Sequence, residues 1–188
     1  VGGVGMLVAI ATTLLLEGIG NWPLIVIGGL IGAVIGLVGA RTVKMTAMPQ
    51  MVALLNGCGG GAAALISTVE FANFMGEKAA GHAVDPLGFG ATMFGGVIGS
   101  LSFWGSLVAF GKLSGFAEKA ISSPVQKIFT VLVFLTLLVT IGMSAVASDS
   151  VPFYALLAVS LVFSILMVLP IGGADMPVVI SLLNSFTG

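Results

Sequence analysis

Charge is what this sequence lacks most. Only 7% of its 188 residues are charged and 58% are hydrophobic, whereas a soluble domain carries about 25% charged residues. So few polar side chains cannot cover a surface in water, and we predict an integral membrane protein whose main surroundings are the lipid bilayer. Six Lys or Arg residues against seven Asp or Glu residues also leave no basic face for a nucleic-acid partner.

The sequence also contains very little cysteine. The single cysteine, Cys58, lies in an apolar run, which excludes a disulfide framework and a zinc cluster of Cys or Cys/His spacing. We therefore predict no metal site. The stretch from Val1 to Leu16 has neither a basic leader nor a cleavage site of small residues, so we expect no signal peptide. The start at Val1, without Met, suggests a fragment.

Long apolar runs are abundant. A hydrocarbon core about 30 Å thick needs roughly 20 helical residues, and the uncharged run 128–147 lacks the alternation of a barrel strand. We predict an all-α, polytopic transmembrane bundle of about seven helices in a single domain over residues 1–188. The final span is too short to cross, so we expect the natural chain to continue beyond Gly188. The predicted helices are 1–16, 22–40, 48–74, 89–110, 128–147, 153–169 and 176–188.

The basic residues orient the bundle. If the first helix runs outward, five of the six Lys and Arg residues fall on the cytoplasmic side and one falls outside. The inner group is Arg41, Lys44, Lys112, Lys119 and Lys127, and the outer residue is Lys78. An excess of Lys and Arg marks cytoplasmic loops, so we predict a cytoplasmic N-terminus for this chain.

Glycines recur at four-residue spacing in three spans. This spacing places them on one helix face and predicts tight helix packing, with an oligomerisation seam as the alternative. They are Gly28, Gly32 and Gly36, then Gly57 and Gly61, then Gly95 and Gly99. The Gly57–Gly61 run has no strand, no βαβ unit and no downstream acidic residue, so we predict no nucleotide cofactor bound by this chain.

An internal repeat is the most informative feature. The segment TAMPQMVALLNGCGG at Thr46–Gly60 aligns without gaps onto ADMPVVISLLNSFTG at Ala174–Gly188, with identity at Met, Pro, Leu, Leu, Asn and Gly. In both copies Pro stands where the first helical turn needs no N–H donor. We predict two equivalent helices that enter the bilayer in parallel from the cytoplasmic side.

Each copy carries an asparagine seven residues after its proline. Asn56 and Asn184 therefore lie about 10 Å into their helices. An unpaired carboxamide in lipid costs several kcal/mol, so we expect both to face the bundle interior. They either form interhelical hydrogen bonds that stabilise helix packing, worth about 1 kcal/mol or less per contact, or form a polar ring beside an ion or proton path. The two expected inward stripes are Pro49, Val52, Ala53 and Asn56, and Pro177, Ile180, Ser181 and Asn184.

Asparagine does not titrate near neutral pH, so a proton path also needs an acid or base. The candidates are Glu70, late in its span, with Glu17 and His82. A solvated position is the alternative for Glu70 and His82. Asp175 precedes the second repeated helix, where it can serve as N-cap. Beside Gly172 and Gly173 it can also belong to a mobile cytoplasmic loop that senses a partner.

Three segments carry a family resemblance. They are MTAMPQMVALLNGCGGGAA at Met45–Ala63, GSLSFWGSLVAFGKLSG at Gly99–Gly115 and PIGGADMPVVISLLNSFTG at Pro170–Gly188. Together they resemble the membrane domain of the proton-translocating nicotinamide nucleotide transhydrogenase beta subunit. That resemblance implies inward proton movement coupled to hydride transfer from NADH to NADP+. It also implies one further membrane helix before Val1 and one after Gly188.

The resemblance also implies the partners and the location. The hydride chemistry would occur on soluble NAD(H)- and NADP(H)-binding domains, so this chain itself would hold no cofactor and no catalytic hydride-transfer residue. The remaining partners would be the alpha-subunit membrane helices and, in a homodimer of the complete enzyme, a second copy. The bilayer would be a bacterial plasma (inner) membrane. The alternatives are a secondary transporter or channel for a small solute or ion, and an inert anchor.

The resemblance assigns roles to single positions. Asn56 stands where some members carry a channel histidine, Asn184 matches the channel asparagine, and Asp175 matches the acidic residue facing the NADP(H)-binding domain. Trp104 stands where relatives often carry Thr, which leaves Ser102 and Ser106 as local hydroxyls. The expected proton pathway is Asn56, Asn184, Glu70, Ser181 and Ser106. The expected coupling loop is Asp175, Gly172, Gly173, Arg41 and Lys44.

Overall fold

The computed structural model describes residues 2–15, 20–116, 120–146 and 149–187, and Glu17 and Lys119 lie outside that part of the chain. The described residues form seven α-helices and no strand, which confirms the all-α prediction. The helices are α1 (Gly2–Leu14), α2 (Trp22–Thr42), α3 (Met48–Ala79), α4 (Pro86–Leu113), α5 (Pro124–Val146), α6 (Val151–Val168) and α7 (Met176–Thr187).

The five helices from α2 to α6 are long and apolar enough to cross a membrane. Several helices extend further than predicted: α3 continues to Ala79, α4 already begins at Pro86 and α5 at Pro124. The start of α4 follows from local chemistry. The Asp85 carboxylate accepts hydrogen bonds from the Leu87 and Gly88 backbone N–H groups at 3.2 and 2.9 Å, and Pro86 occupies the first turn, where no N–H is needed.

The chain divides into two compact units. The first, Val1–Val43, contains α1 and α2. A Cβ added at Gly28, Gly32 or Gly36 would meet no atom within 4 Å, so this glycine stripe packs against no described residue of the first unit. The second unit, Lys44–Gly188, contains α3 to α7. In that unit α4 is the central helix and packs against α3, α6 and α7, while α5 packs on α6.

Glycines set the α3–α4 contact. A Cβ at Gly60 would lie 2.7 Å from the Phe103 backbone nitrogen, and one at Gly99 would lie 2.5 Å from the Ala64 backbone nitrogen. The two backbones therefore touch where neither helix carries a side chain. This contact agrees with the tight packing predicted for the glycines of α3 and α4, although the closest glycine on α3 is Gly60, which the four-residue spacing omits.

Two apolar clusters fill the second unit. One lies where α3 and α7 begin, and includes Ala53, Ala109 and Met176. The start of α3 lies at the end of α4, where Gln50 contacts Leu113, and Gly60 further along α3 meets Phe103. The start of α7 also lies there, since a Cβ at Gly173 would lie 3.8 Å from the Lys112 carbonyl oxygen, and Leu183 meets Gly105. Both helices are therefore antiparallel to α4 and parallel to each other, as the repeat predicts. The other cluster joins α3, α4, α5 and α6, and its centre is the stacked ring pair Phe71–Phe153, with centroids 4.1 Å apart.

The repeated motif produces the same local structure twice. A 3₁₀ turn precedes each helix, Met45–Ala47 before α3 and Gly173–Asp175 before α7, and each helix then begins with Met-Pro. The tertiary packing differs, however. The buried positions of the first half of α3 are Ala53, Asn56, Gly57 and Gly60, whereas those of α7 are Met176, Val179, Ile180 and Leu183. The two copies bury different faces.

Candidate functional site

A polar contact lies inside the apolar α3–α4 interface. The Asn56 side chain is only 7% exposed, and its Nδ2 donates hydrogen bonds to Ser102 Oγ at 3.1 Å and to Ser106 Oγ at 2.8 Å. Both serines are fully buried. They are four residues apart on α4, so both hydroxyls point from the same helix face toward α3. The structure thus brings together two predicted pathway residues, Asn56 and Ser106.

One end of the carboxamide has no partner among the described residues. Asn56 Oδ1 is buried and accepts no hydrogen bond from the described residues. Exchanging the oxygen and nitrogen of the amide would pair the oxygen with the serine hydroxyls and leave the nitrogen unpaired instead. In either orientation one strong polar group of Asn56 remains available to a further hydrogen-bonding group.

The surrounding glycines allow this approach. A Cβ at Gly57 would lie 3.4 Å from Ser106 Cβ, and one at Gly60 would lie 2.8 Å from Ser102 Cβ. Larger residues at these positions would separate the serines from Asn56. Gly57 and Gly60 therefore have a packing role in the middle of α3.

Other buried serines of the bundle differ in their hydrogen bonding. Ser164 Oγ donates to the Leu101 carbonyl at 2.6 Å, and Ser100 Oγ donates to the Leu157 carbonyl at 3.2 Å. These two hydroxyls join α4 and α6 through backbone carbonyls. Ser102 and Ser106, in contrast, receive hydrogen bonds from a side chain, so their arrangement depends on Asn56.

The second asparagine lies elsewhere. Asn184 and Ser181 are on the exposed side of α7, so the expectation that the whole α7 stripe faces inward is wrong for this chain, and only Ile180 of that stripe is buried. The reason is the fit of Leu183 into the bundle, where a Cβ at Gly105 would lie 2.9 Å from Leu183 Cδ1. The apolar face occupies the interior and turns Asn184 away. Its role in a proton path stays a prediction.

The remaining predicted pathway residues are apart from the buried site. Glu70 is exposed and lies fourteen residues further along α3, or about 21 Å at the helical rise. The Ser181 hydroxyl donates to the Pro177 carbonyl of its own helix at 3.0 Å. Neither residue contacts Asn56 through a hydrogen bond among the described residues.

The predicted coupling residues lie on exposed segments. Arg41 is in the last turn of α2, and Lys44 precedes the 3₁₀ turn before α3. Gly172 and Gly173 are half-buried in the connection between α6 and α7. Asp175 is exposed, and its backbone N–H donates to the Gly172 carbonyl at 3.1 Å to close the 3₁₀ turn. Asp175 therefore stands at the start of α7 with its carboxylate open to a partner.

Three polar side chains that sequence reasoning did not assign to the site bind backbone carbonyls at the ends of α4 and α6. Lys112 and Gln126 both donate to carbonyls at the end of α6, and Gln50 Nε2 donates to the Leu113 carbonyl at 2.7 Å. Their positions beside helix ends were visible in the sequence. What the sequence does not show is which neighbouring helix end each one reaches.

These features define a class of protein. The second unit is a helix bundle of membrane-spanning length with a polar site buried at a glycine contact, and it begins two of its helices with the same Met-Pro motif. The family model of the NAD(P) transhydrogenase beta subunit matches residues 1–188. The chain belongs to this family, and the integral membrane character follows from both the family and the helices.

Two similar curated proteins are both called NAD(P) transhydrogenase subunit beta, and both come from Rhodospirillum rubrum. Each is 38% identical to this chain over 192 residues, which cover 100% of the chain and 41% of the relative. The chain thus spans less than half the length of these relatives. The family match confirms the predicted resemblance to the beta subunit.

Proposed function

We propose that this chain forms the proton-translocating part of an NAD(P) transhydrogenase. The observation that carries the proposal is the buried Asn56 carboxamide, which has one polar atom unpaired and two fully buried hydroxyls against its other end. A polar group left unpaired in a membrane interior is costly. Intramembrane polar groups that face the bundle interior commonly mark substrate or ion paths.

The residues of the site suit hydrogen bonding to water. Neither Asn56 nor the serines can take up or release a proton near neutral pH, so they would orient water and pass hydrogen bonds along α3 and α4. The acid on the proton path would be Glu70 or a group supplied by other parts of the enzyme. While the contact between Asn56, Ser102 and Ser106 is closed, it would interrupt such a chain of water molecules. A small shift of α4 would open the contact.

The complete enzyme would use this path to drive hydride transfer from NADH to NADP+ on separate soluble nucleotide-binding domains. The exposed Asp175 would meet one of these domains, together with Gly172, Gly173, Arg41 and Lys44. Alpha-subunit membrane helices would cover the exposed face of α7, which places Asn184 against protein. Residues 1–188 would act as one membrane domain in a homodimeric enzyme of a bacterial inner membrane, with their N-terminus on the cytoplasmic side.

The test is an Asn56→Leu substitution in the complete enzyme reconstituted into vesicles. Leucine fills the site but can neither donate nor accept a hydrogen bond. We expect proton translocation to fall by about tenfold or more, the order of effect of losing one or two buried hydrogen bonds. Hydride transfer driven by the proton gradient should fall in parallel. Proton uptake is followed with a pH-sensitive dye, and hydride transfer by nucleotide absorbance.

Cys58→Leu is the matched control, because Cys58 lies on the exposed face of the same helix and the substitution introduces the same side chain. If Asn56→Leu fails to assemble, Ser106→Ala removes the 2.8 Å hydrogen bond with a smaller change in volume. An assembled Asn56→Leu or Ser106→Ala enzyme with unchanged proton translocation would refute the proposal. Uptake of a small solute by the membrane subunit alone would instead favour a secondary transporter.

A further inference from the structure

Lys112 is the most deeply buried charged side chain among the described residues. It lies in the last turn of α4 and is only 2% exposed. Its Nζ donates hydrogen bonds to the Leu169 carbonyl at 2.6 Å and to the Ile171 carbonyl at 2.7 Å. A lysine at a helix end usually extends its ammonium group toward water. Here the ammonium group is instead used to hold the chain that leaves α6.

The carbonyls at the end of α6 require donors from outside the helix. The last carbonyls of any helix have no partner within it, and Pro170 has no N–H group to complete the turn. Gln126 Nε2 supplies one donor, at 2.7 Å from the Leu166 carbonyl, which is the acceptor that Pro170 would otherwise serve. Lys112 supplies another donor, to the Leu169 carbonyl, with the added attraction of a positive charge for a helix C-terminus.

The same face of α4 connects Lys112 to the buried polar site. Ser102, Ser106, Ala109 and Lys112 follow one another at spacings of four, three and three residues, and all are buried. Lys112 is six residues beyond Ser106, or about 9 Å along the helix axis. The space between them is filled by Ala109, which packs in one cluster with Met176 of α7. A displacement of the Lys112 end of α4 therefore reaches Ser106 through a continuous helix.

We propose that Lys112 is a positioning residue that clamps the connection between α6 and α7 onto the end of α4. The clamp fixes the position of Asp175 along the bundle axis relative to Ser106 and Asn56. A force on Asp175 is therefore transmitted to the contact between α3 and α4. The clamp follows from the contacts of Lys112 alone. Its effect on coupling between proton movement and hydride transfer rests on the proposed function.

The experiment uses the complete enzyme with Lys112→Met, Lys112→Arg and, as matched control, Lys127→Met. Methionine retains the length of the side chain and removes the donors, arginine retains donors and charge, and Lys127 is an exposed lysine near the start of α5. Two quantities are measured: hydrogen exchange of the Ile171 and Asp175 amides, and the ratio of protons translocated to hydride transferred.

Both amides are hydrogen-bonded within the connection, to the Val168 and Gly172 carbonyls. We expect Lys112→Met to accelerate their exchange about tenfold or more, the factor that corresponds to losing one hydrogen bond from a charged group. Lys112→Arg should restore most of the protection, and Lys127→Met should leave it unchanged. The ratio of protons to hydride should fall by about half or more in Lys112→Met, with KM for both nucleotides unchanged.

Unchanged exchange in Lys112→Met would overturn the clamp. Faster exchange with an unchanged ratio of protons to hydride, in an enzyme that Asn56→Leu inactivates, would overturn the transmission and leave the proposed function standing. If Asn56→Leu also had no effect, the proposed function would fail while the clamp would still be judged by exchange. Should Lys112→Met not assemble, Lys112→Ala removes the donors with a smaller side chain, and wild-type exchange in that variant would refute the clamp equally.

Discussion

Adding a single methyl group at Gly60 should separate the two helices that form the polar site. In Gly60→Ala the new Cβ would lie 2.7 Å from the Phe103 nitrogen and 2.9 Å from the Gly99 carbonyl oxygen. Both obstacles are backbone atoms, so no side-chain rotation can relieve the contact. Ordinary packing begins near 3.4 Å, and α3 and α4 must therefore move apart by roughly 0.7 Å.

A displacement of this size would lengthen the hydrogen bonds of the polar site. The hydrogen bond from Asn56 to Ser102, now 3.1 Å, would lengthen to about 3.8 Å, which is beyond the range of a hydrogen bond. The bond to Ser106, now 2.8 Å, would reach about 3.5 Å, its outer limit. Overpacking of this kind costs about 1–3 kcal/mol. Gly60→Ala should therefore weaken both the bundle and the contact on which the proposed proton path depends.

The control is Gly59→Ala on the same helix. A Cβ at Gly59 meets no atom within 4 Å, so this variant receives the same gain in helix propensity, about 0.5–1 kcal/mol, without the clash. The assays are the thermal unfolding midpoint of the purified complete enzyme and its proton translocation in vesicles. We expect Gly60→Ala to melt at a lower temperature than Gly59→Ala and to translocate protons more slowly. Equal midpoints and equal rates for the two variants would refute this account of the α3–α4 contact.

Two further predictions concern stability. Phe71→Ala should lower the free energy of unfolding by about 3–5 kcal/mol because it empties a fully packed ring site. Phe94→Ala should lower it much less because Phe94 is 66% exposed. Equal decreases in the unfolding midpoint would contradict this account of the packing. Gln126→Leu should cost about 1–3 kcal/mol by leaving the Leu166 carbonyl unpaired. Combining it with Pro170→Ala, which returns a backbone N–H, should reduce that cost in a double-mutant cycle of unfolding midpoints, and strict additivity would exclude the compensation.

Much of the fold could be predicted because a membrane simplifies the sequence signal. Hydrocarbon demands long uncharged helices, so the spans are visible as runs between charges, and the observed helices begin and end within a few residues of most predicted spans. The Met-Pro starts at Pro49 and Pro177 were also predictable, since proline at the first helical turn depends only on local backbone chemistry.

Which face a helix buries could not be predicted with the same success. The spacing rule puts Asn184 and Ile180 on one stripe, but only Ile180 is buried. In a helix that is apolar on most sides, no polar face marks the exterior, so the orientation is decided by the fit of individual side chains. Here that fit is Leu183 against Gly105, a contact between residues that are distant in the sequence.

The buried face of α4 was hidden for the same reason. Ser102 and Ser106 were visible as hydroxyls, but their pairing with Asn56 depends on the close approach at Gly60, which the four-residue glycine pattern does not include. Lys112 was counted as a cytoplasmic surface charge because most lysines at helix ends are solvated. Its burial depends on the Leu169 and Ile171 carbonyls, more than fifty residues later, which accept its hydrogen bonds where α6 ends.

The two repeated asparagines therefore lie in different environments although they occupy the same position of a repeated motif. Asn56 meets α4 through glycines and is enclosed within this chain, so its free polar atom can only be satisfied from inside the bundle. Asn184 is turned outward by Leu183, so in a bilayer its carboxamide needs a hydrogen-bonding partner other than lipid. A path that uses both must then pass from the interior of this bundle to its interface with neighbouring helices. Such a path could be opened or closed by a small rotation of α7, the helix that Asp175 begins.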